Sequence, residues 1–470
     1  MLIAATRIDG LGGRLLAMAN AKALADWLGC RFGFTWSEEA IQDNTFHIVD
    51  VVRKIFSDAF IEQYWLGEKV DASRFGVLGQ TIFTPRSLET TARERNLEGW
   101  ICDDFDVLKS FRADGPKTVR RSEALRGFGF SSNVTDAINA AREVRFPGPM
   151  AALHLRSGDI VHGSYRTKMI FADKVIPSAL AGAIVSELSA RGLNTLLIGQ
   201  DRETLEYLRA RTGALLISDL GAGEFEDRTL RDFFEMAVMA RCQRIHAGSS
   251  IFAAVASVMG DIPHLNSEAL FSKARAAEIV LAELKAHERD YHRLEAAFGY
   301  QSAFLNLEDT ISPARAREIL ERALALDPEN DIYALKIVAA YFREGDFPSG
   351  EAVLKSLMSR QFRARAKIPL PAMRVLTERV WDGKNAMSRD FGLFLASAQA
   401  GHPCAMACSA YLLRESGEPR RAGAMAARLV ESQPANPMFR KIKRWVRLGR
   451  KPEKGFWAKT IWKLRQLSPF

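Results

Sequence analysis

His154-Leu155-Arg156-Ser157-Gly158-Asp159 sets an imidazole, a guanidinium and a carboxylate around one glycine. Those residue types suit the binding of a pyrophosphate. Arginine carries a permanent charge and a planar fork of donors that matches two phosphate oxygens, and one charge-assisted bond of this kind is worth about 1.5–3 kcal/mol. Asp159 after Gly158 can hydrogen-bond its own turn, and His154 can pack, orient a neighbour or donate to a ligand. Read alone, the string is also compatible with a strand-end turn that carries a satisfied histidine and a surface arginine.

The flanking elements decide where such a string would sit. Pro149-Met150-Ala151-Ala152-Leu153 is an apolar run bounded by Phe146-Pro147-Gly148. It reads as a buried parallel strand, with ligand sites expected beyond its carboxyl end. A helix around Ala179 to Ser189, a strand from Thr195 to Gly199 and a strand from Ala214 to Ser218 continue a β-α-β unit. An equivalent unit opens the chain. An apolar strand over residues 1–6 precedes the glycine-rich Asp9-Gly10-Leu11-Gly12-Gly13-Arg14-Leu15. A run of helix formers from Leu15 to Leu28 then ends at Gly29, and Cys30 to Trp36 reads as the next strand. Two Rossmann-like halves are the expected result.

Four segments, in order, resemble the GDP-fucose-dependent fucosyltransferases: the α1,6-fucosyltransferases, the nodulation fucosyltransferases and the protein O-fucosyltransferases. They are the glycine-rich loop, the His-x-Arg-x-Gly-Asp string, and the strand Asn194 to Gly199 running into Gln200-Asp201. The fourth is Asp232-Phe233-Phe234-Glu235-Met236-Ala237 together with His246-Ala247-Gly248-Ser249-Ser250-Ile251-Phe252. The resemblance covers roughly residues 1–275 and implies a GT-B architecture, two Rossmann-like domains facing a cleft. It implies no cofactor, only the donor substrate GDP-fucose. In that family the motif arginine contacts the diphosphate, a helix-opening aspartate reads the guanine edge, and the serines hold phosphate. Carried over, Arg156 becomes the catalytic residue and Asp232 the guanine reader, with Ser249 and Ser250 on phosphate. Gly12, Gly13, His154, Asp159, Asp201 and Phe252 complete the expected donor site. The chemistry is self-consistent: an arginine with hydroxyl and backbone donors at a helix N-terminus can stabilise a leaving diphosphate without a metal. A carboxylate beside guanine accepts two N–H donors that adenine and uracil do not reproduce.

Departures from the pattern are specific. Ser157 stands where some members have a second arginine, Gly13 where many have asparagine, and Gln200 where some have aspartate. Asp9 is a candidate acceptor base by the same resemblance, and by turn statistics it is a turn-stabilising residue before Gly10. Asp103-Asp104-Phe105-Asp106 contains an Asp-x-Asp string able to bind a divalent cation, but acids opening a helix at Val107 explain it through capping and the helix dipole. No metal site is expected.

With 470 residues, 47% apolar content and a mean hydropathy of −0.10, the chain reads as soluble and of roughly two or three domains. The opening apolar run is too short for a signal peptide's core, and no stretch reaches transmembrane length, so a cytoplasmic location is expected. Cys30, Cys102, Cys242, Cys404 and Cys408 contain no Cys-x-x-Cys pair and fit reduced thiols.

From Gln301 the periodicity is helical, and Ala314 to Asn330 resembles the second helix and exit turn of a tetratricopeptide repeat; a similar exit recurs at Gln433-Pro434-Ala435-Asn436-Pro437. The repeats could buttress the sheets or bind a protein partner. Residues 440–470 hold eleven Lys or Arg against Glu453 alone, a net charge of +10 against +9 for the whole chain. The basic pI therefore reports this stretch. Trp445, Phe456, Trp457, Ile461, Trp462 and Leu464 interleave with the cations, which suits an anionic membrane surface better than nucleic acid; a solvated tail whose aromatics pack on the repeats is a further reading.

The expected organisation is an α/β, GT-B pair of domains over 1–147 and 148–275, a connecting helix over 276–300, tetratricopeptide-like helices over 301–439, and a basic amphipathic tail over 440–470. The expected function is inverting, metal-independent transfer of fucose from GDP-fucose to a glycan, lipid-linked or peptide acceptor, on the cytoplasmic face of the membrane. The alternatives are another GDP- or UDP-sugar as donor, or an inactive interaction protein.

Overall fold

A computed structural model of the chain describes residues 1–448 apart from 45–46, 80–82, 112–118, 170 and 380–384. They group into two compact units. The first takes in Met1–Arg156, Lys174–Ile176 and Ala181–Leu270; the second takes in Ser157–Asp173, Pro177–Leu180 and the chain from Phe271 onward.

Two parallel sheets build the first unit. One contains β1 (Leu2–Ala5), β2 (Arg31–Phe34), β5 (Phe75–Val77) and β6 (Gly99–Ile101) in the order β2-β1-β6-β5, with a short antiparallel pair, β3 (Ile41–Asn44) and β4 (His47–Val49), beside it in sequence. The other contains β7 (Met150–Leu155), β8 (Asn194–Gly199), β9 (Leu215–Leu216), β10 (Arg244–His246) and β11 (His264–Leu265) in the order β11-β10-β7-β8-β9. Every residue of β1 and β7 is buried. Strands covered on both faces have no reason to alternate, hence their apolar sequences, interrupted only by His154 near the end of β7. Both sheets reverse their winding beside their first strand: β1 lies between β2 and β6, and β7 between β10 and β8. The loops leaving such a strand diverge to opposite faces, which opens a crevice at its carboxyl end.

The helices that matter here are α1 (Leu11–Leu28), α2 (Ser132–Glu143), α3 (Ser178–Ala190), α4 (Arg228–Met239) and α5 (Ile251–Gly260). α1 stops at Gly29, whose φ of 63° is left-handed and cheap only for glycine. α1 packs on α5, and α2 packs on α4. Val134, Ala137 and Ala141 of α2 join the same core as Ile3 of β1 and Ala152 of β7. Residues of both sheets therefore belong to one apolar core.

His246 ends β10 fully buried, with neither ring nitrogen hydrogen-bonded. Burial, reinforced by Arg244, pushes its pKa down to about 4. A histidine depressed in the folded state contributes stability that is complete above its unfolded pKa of about 6.5 and is lost as the pH falls toward the folded value. Urea midpoints should therefore drop between about pH 6.5 and about pH 4. A His246→Leu variant should show a shallower drop, by about 1–2 kcal/mol in unfolding free energy over that window.

The second unit is helical: α6 (Lys273–His287), α7 (Arg293–Leu307), α8 (Pro313–Leu326), α9 (Asp331–Arg343), α10 (Phe347–Arg365), α11 (Pro371–Thr377), α12 (Phe391–Gln399), α13 (Pro403–Glu415), α14 (Pro419–Ser432) and α15 (Pro437–Arg447). Each helix from α6 to α10, and from α12 to α15, packs on the next. The single connecting helix expected over 276–300 is two helices. His292 Nδ1 accepts the Leu294 N–H at 3.2 Å and caps a new start, so the boundary at residue 300 falls inside α7. Ser312, before Pro313, caps α8 by accepting the Arg315 N–H.

The stretch after the His-x-Arg string is built into this helical unit. Glu295 of α7, almost fully buried, accepts from Ser178 Oγ at 2.8 Å and pairs with His162 Nε2 at 3.0 Å. Arg166 reaches Asp327 at 3.1 Å, and Asn330 donates to the Arg166 carbonyl at 3.2 Å. Lys168 pairs with Glu378 at 2.8 Å.

α15 buries Met438, Phe439, Ile442 and Val446. Its Trp445 ring lies 5.4 Å from Tyr411 and under the Arg414 guanidinium at 3.4 Å. The first part of the basic tail expected over 440–470 is therefore a packed helix, and residues 449–470 lie outside the described residues.

Candidate functional site

Polar anchors hold the loop between β1 and α1. Thr6 donates its N–H and its hydroxyl to the Asp103 carboxylate at 2.6 and 2.7 Å. Arg7 donates to the Asp103 carbonyl at 2.8 Å and to Asp9 Oδ2 at 2.7 Å, with its guanidinium 3.9 Å from the Phe105 ring. From the first turn of α1 the buried Arg14 donates to the carbonyls of Asp9 and Ile8 at 2.7 and 2.8 Å. Burial holds the Arg14 pKa below its ordinary value and raises that of Asp103.

The loop's glycines have different reasons. A Cβ on Gly13 would stand 2.2 Å from Asp9 Oδ1, so the Asp9 carboxylate occupies the space a side chain would need. A Cβ on Gly12 would touch the Ile251 backbone at 3.5 Å, which places the start of α1 against the start of α5. Asp9 thus pairs with Arg7 and fills the space beside Gly13, and its side chain is 44% exposed. The Asp-x-Asp string is also locally engaged. Asp104 Oδ1 accepts the Phe105 N–H at 2.8 Å, and Asp106 Oδ1 caps a short 3-10 turn by accepting the Leu108 N–H at 3.2 Å.

At the carboxyl end of β7, His154 is buried and its ring stacks on Phe252 with centroids 5.5 Å apart. Burial, with help from Arg156 and His264, pushes its pKa down to about 3, so the ring is neutral at physiological pH. Its Nδ1 has no hydrogen bond. Arg156 comes next at the end of the strand, half-buried.

The neighbouring strand β10 pairs with β7, His246 opposite Leu153, and runs into the tight turn Gly248-Ser249-Ser250. There the Ser250 N–H donates to the Gly248 carbonyl at 2.6 Å, and His264 Nε2 bonds the same carbonyl at 2.9 Å. A Cβ on Gly248 would meet the Lys174 carbonyl carbon at 2.3 Å and the Val175 nitrogen at 2.6 Å, so only glycine fits. Ser249 is exposed. Ser250 sits at the N-cap of α5, 1% exposed, with an Oγ that has no hydrogen-bond partner. A buried hydroxyl without a partner costs about 1–3 kcal/mol, and such a cost is tolerated at sites that a ligand completes.

The aspartate expected to open α4 does not open it. α4 begins at Arg228, and Asp227 caps it by accepting the Thr229 and Leu230 N–H groups at 2.9 and 3.1 Å. Asp232 lies one turn further in, half-buried, with Glu235 a turn beyond. Burial raises Asp232 to about 6, and burial together with Asp232 raises Glu235 to about 8. At neutral pH the pair carries mainly the Asp232 charge. Thr229 Oγ1 donates to Asp50 Oδ2 at 2.5 Å, and Lys54 bridges Asp50 and Asp227 at 2.7 and 2.6 Å. Sequence reasoning missed Asp50, Lys54, Asp227 and Glu235. The Asp227-Arg228-Thr229-Leu230 start is a readable cap signal, whereas Glu235 stands where only the three-dimensional burial of α4 gives it meaning.

Two further expected residues are engaged locally. Asp201 precedes the helix Arg202–Thr212 and accepts from Thr204 Oγ1 at 2.6 Å. Asp159 is buried in the second unit, where its carbonyl accepts the Tyr165 N–H at 3.0 Å. Gly12, Gly13, His154, Arg156, Asp201, Asp232, Ser249, Ser250 and Phe252 all belong to the first unit.

No protein-family model and no curated protein matches the sequence. Among solved structures, fucosyltransferase NodZ from Bradyrhizobium is 13% identical, with 54% of this chain and 92% of that one covered and a TM-score of 0.34. NodZ alpha-1,6-fucosyltransferase soaked with GDP-fucose is 13% identical over 55% of this chain and 92% of that one, TM-score 0.31. POFUT1 in complex with GDP is 11% identical over 56% and 97%, TM-score 0.30. The chain is similar to these fucosyltransferases over about 55% of its length, and its C-terminal extension lies outside the likeness.

Proposed function

We propose that the first unit is a GT-B glycosyltransferase that transfers fucose from GDP-fucose, with inversion and without a metal. The observation that carries this reading is the position of the motif residues. The glycine loop leaves β1 and Arg156 leaves β7, each at the carboxyl end of the strand where its sheet reverses, and Ser249 and Ser250 leave the strand paired with β7. In this reading Arg156 and the serines take the diphosphate, and the unpartnered Ser250 Oγ donates to a phosphate oxygen. The neutral His154 supplies a hydrogen bond without adding charge. As the glycosidic bond breaks, negative charge grows on the β-phosphate beside Arg156, and departure of the diphosphate leads the reaction. The Asp9 carboxylate is held by Arg7, so no base is assigned.

Asp232 reads the guanine edge by accepting its N1–H and exocyclic N–H. That requires the carboxylate form. With a pKa of about 6, GDP affinity should be constant above neutrality and weaken by about tenfold per pH unit below about pH 6. Asp232→Asn should lose that pH step and more than about tenfold in affinity. Calorimetric titration with GDP and UDP from about pH 5 to about pH 8 checks both; a flat profile, or UDP binding as well as GDP, removes Asp232 from this role and reopens the choice of donor.

The acceptor is a glycan, lipid-linked oligosaccharide or peptide. The helical unit is a tetratricopeptide-like array that receives a protein partner. The basic tail docks the enzyme on the cytoplasmic face of an anionic membrane. No helix among the described residues is long and apolar enough to cross a membrane, and a peripheral contact needs none.

A further inference from the structure

The helical unit gathers cations at one place that the linear sequence divides. α10 ends with Arg363 and Arg365, and Lys367 lies just beyond; all three are exposed. α15, more than seventy positions later, carries Arg440, Lys443, Arg444 and Arg447. Lys441 joins the two: its Nζ donates to the Ala366 carbonyl at 2.9 Å and lies 5.5 Å from the Phe362 ring. The sequence supplies no acid between residues 352 and 377, and only Glu453 between 432 and 470. None of Arg363, Arg365, Lys367, Arg440, Lys443, Arg444 and Arg447 forms an ion pair among the described residues.

Local structure explains part of this. Arg363 and Arg365 lie in the last turn of α10, where cations complement the helix dipole. Arg444 and Arg447 share that reason in the last turn of α15, whereas Lys367, Arg440 and Lys443 do not, and surface charge is ordinarily of mixed sign. α15 has already buried its apolar face against its neighbours, so the outward face offers electrostatics rather than insertion.

We propose that this joint α10–α15 face docks on the anionic headgroups of a lipid bilayer. The choice of occupant comes from the chain that leaves it. Leu448, at the end of the face, is 72% exposed, and the sequence continues with Phe456, Trp457, Ile461, Trp462 and Leu464 among Lys459, Lys463 and Arg465. Aromatic and aliphatic residues interleaved with cations favour the interface of a bilayer. The inference rests on the membrane reading of residues 440–470 but assigns the charge recognition to folded residues, three of them far outside that segment.

The test uses full-length protein and sedimentation with vesicles of phosphatidylcholine, with and without phosphatidylserine. One variant carries Arg363→Ser, Arg365→Ser, Arg444→Ser and Arg447→Ser. A second carries Phe456→Ser, Trp457→Ser and Trp462→Ser. Circular dichroism and melting of the first variant should match wild type, since the substituted side chains lie on the outward faces of their helices. Each cation near an anionic surface contributes about fivefold in affinity. The first variant should therefore lose roughly several hundredfold in binding to phosphatidylserine vesicles, and wild-type binding should fall with added salt. Loss in the first variant with binding retained in the second supports the face and sinks the tail as anchor. Loss only in the second variant, equal binding to vesicles without phosphatidylserine, or displacement of the bound protein by single-stranded RNA at equal phosphate would each overturn the proposal.

Discussion

Arg156→Ala is expected to weaken GDP binding by on the order of a hundredfold or more and to abolish turnover of GDP-fucose. A guanidinium that meets two phosphate oxygens makes two charge-assisted bonds, each worth about 1.5–3 kcal/mol, and about 1.4 kcal/mol is a factor of ten. The loss should be larger in the transition state, where the diphosphate takes up the charge of the broken bond. Arg156→Lys keeps the charge without the fork and should fall between wild type and alanine. Isothermal titration with GDP in metal-free buffer, and then donor hydrolysis, reads both effects. If alanine binds GDP within a few-fold of wild type, the His-x-Arg string is a strand-end turn, and the inactive interaction-protein reading takes the lead.

Gly248→Ala should be the most damaging single-methyl change near the site. The added carbon would lie 2.3 Å from the Lys174 carbonyl carbon. That neighbour is backbone, which cannot swing aside as a side-chain end can, so either the turn or the segment Lys174–Ile176 must move. Overpacking of this kind typically costs about 1–3 kcal/mol. Here it would also shift Ser249 and Ser250, which should raise the donor KM at least about tenfold. Thermal melting and donor kinetics together check this. A variant with unchanged melting and unchanged KM would mean that the serine turn is not held by the close approach at Gly248.

Legibility in the sequence depends on whether the information is local. β1, β7 and β8 can be read because strands buried on both faces are mostly apolar runs, and the end of α1 because Gly29 suits its left-handed cap. The resemblance motifs put Arg156, Ser249 and Ser250 on the loops where they are found. They also put Asp232 at the start of its helix, because the motif does not include the Asp227 cap that begins α4 earlier. The break between α6 and α7 is hidden because histidine is an uncommon cap, so 276–300 reads as continuous. The distance in sequence between α10 and α15 hides the basic face entirely: each half is an ordinary charged helix end until Lys441 ties them together. The shared core of the two sheets is equally out of reach, since no periodicity reports which helices pack across a domain boundary.

The way Ser157–Asp173 is built into the helical unit bears on the order in which the protein can mature. A nascent chain that has emerged as far as Leu270 already holds every strand of both sheets. The stretch leaving Arg156 still lacks Glu295 for His162 and Ser178, Asp327 and Asn330 for Arg166, and Glu378 for Lys168. Closing so long a loop adds only a slowly growing entropic cost, but it must wait for synthesis, which proceeds at roughly 5–20 residues per second. For several seconds the ribosome therefore presents a chain with both sheets encoded and the segment after its arginine still unanchored. The helices act in effect as a completion signal, and a protein cut short before them would carry the motif while His162, Arg166 and Lys168 lacked these partners.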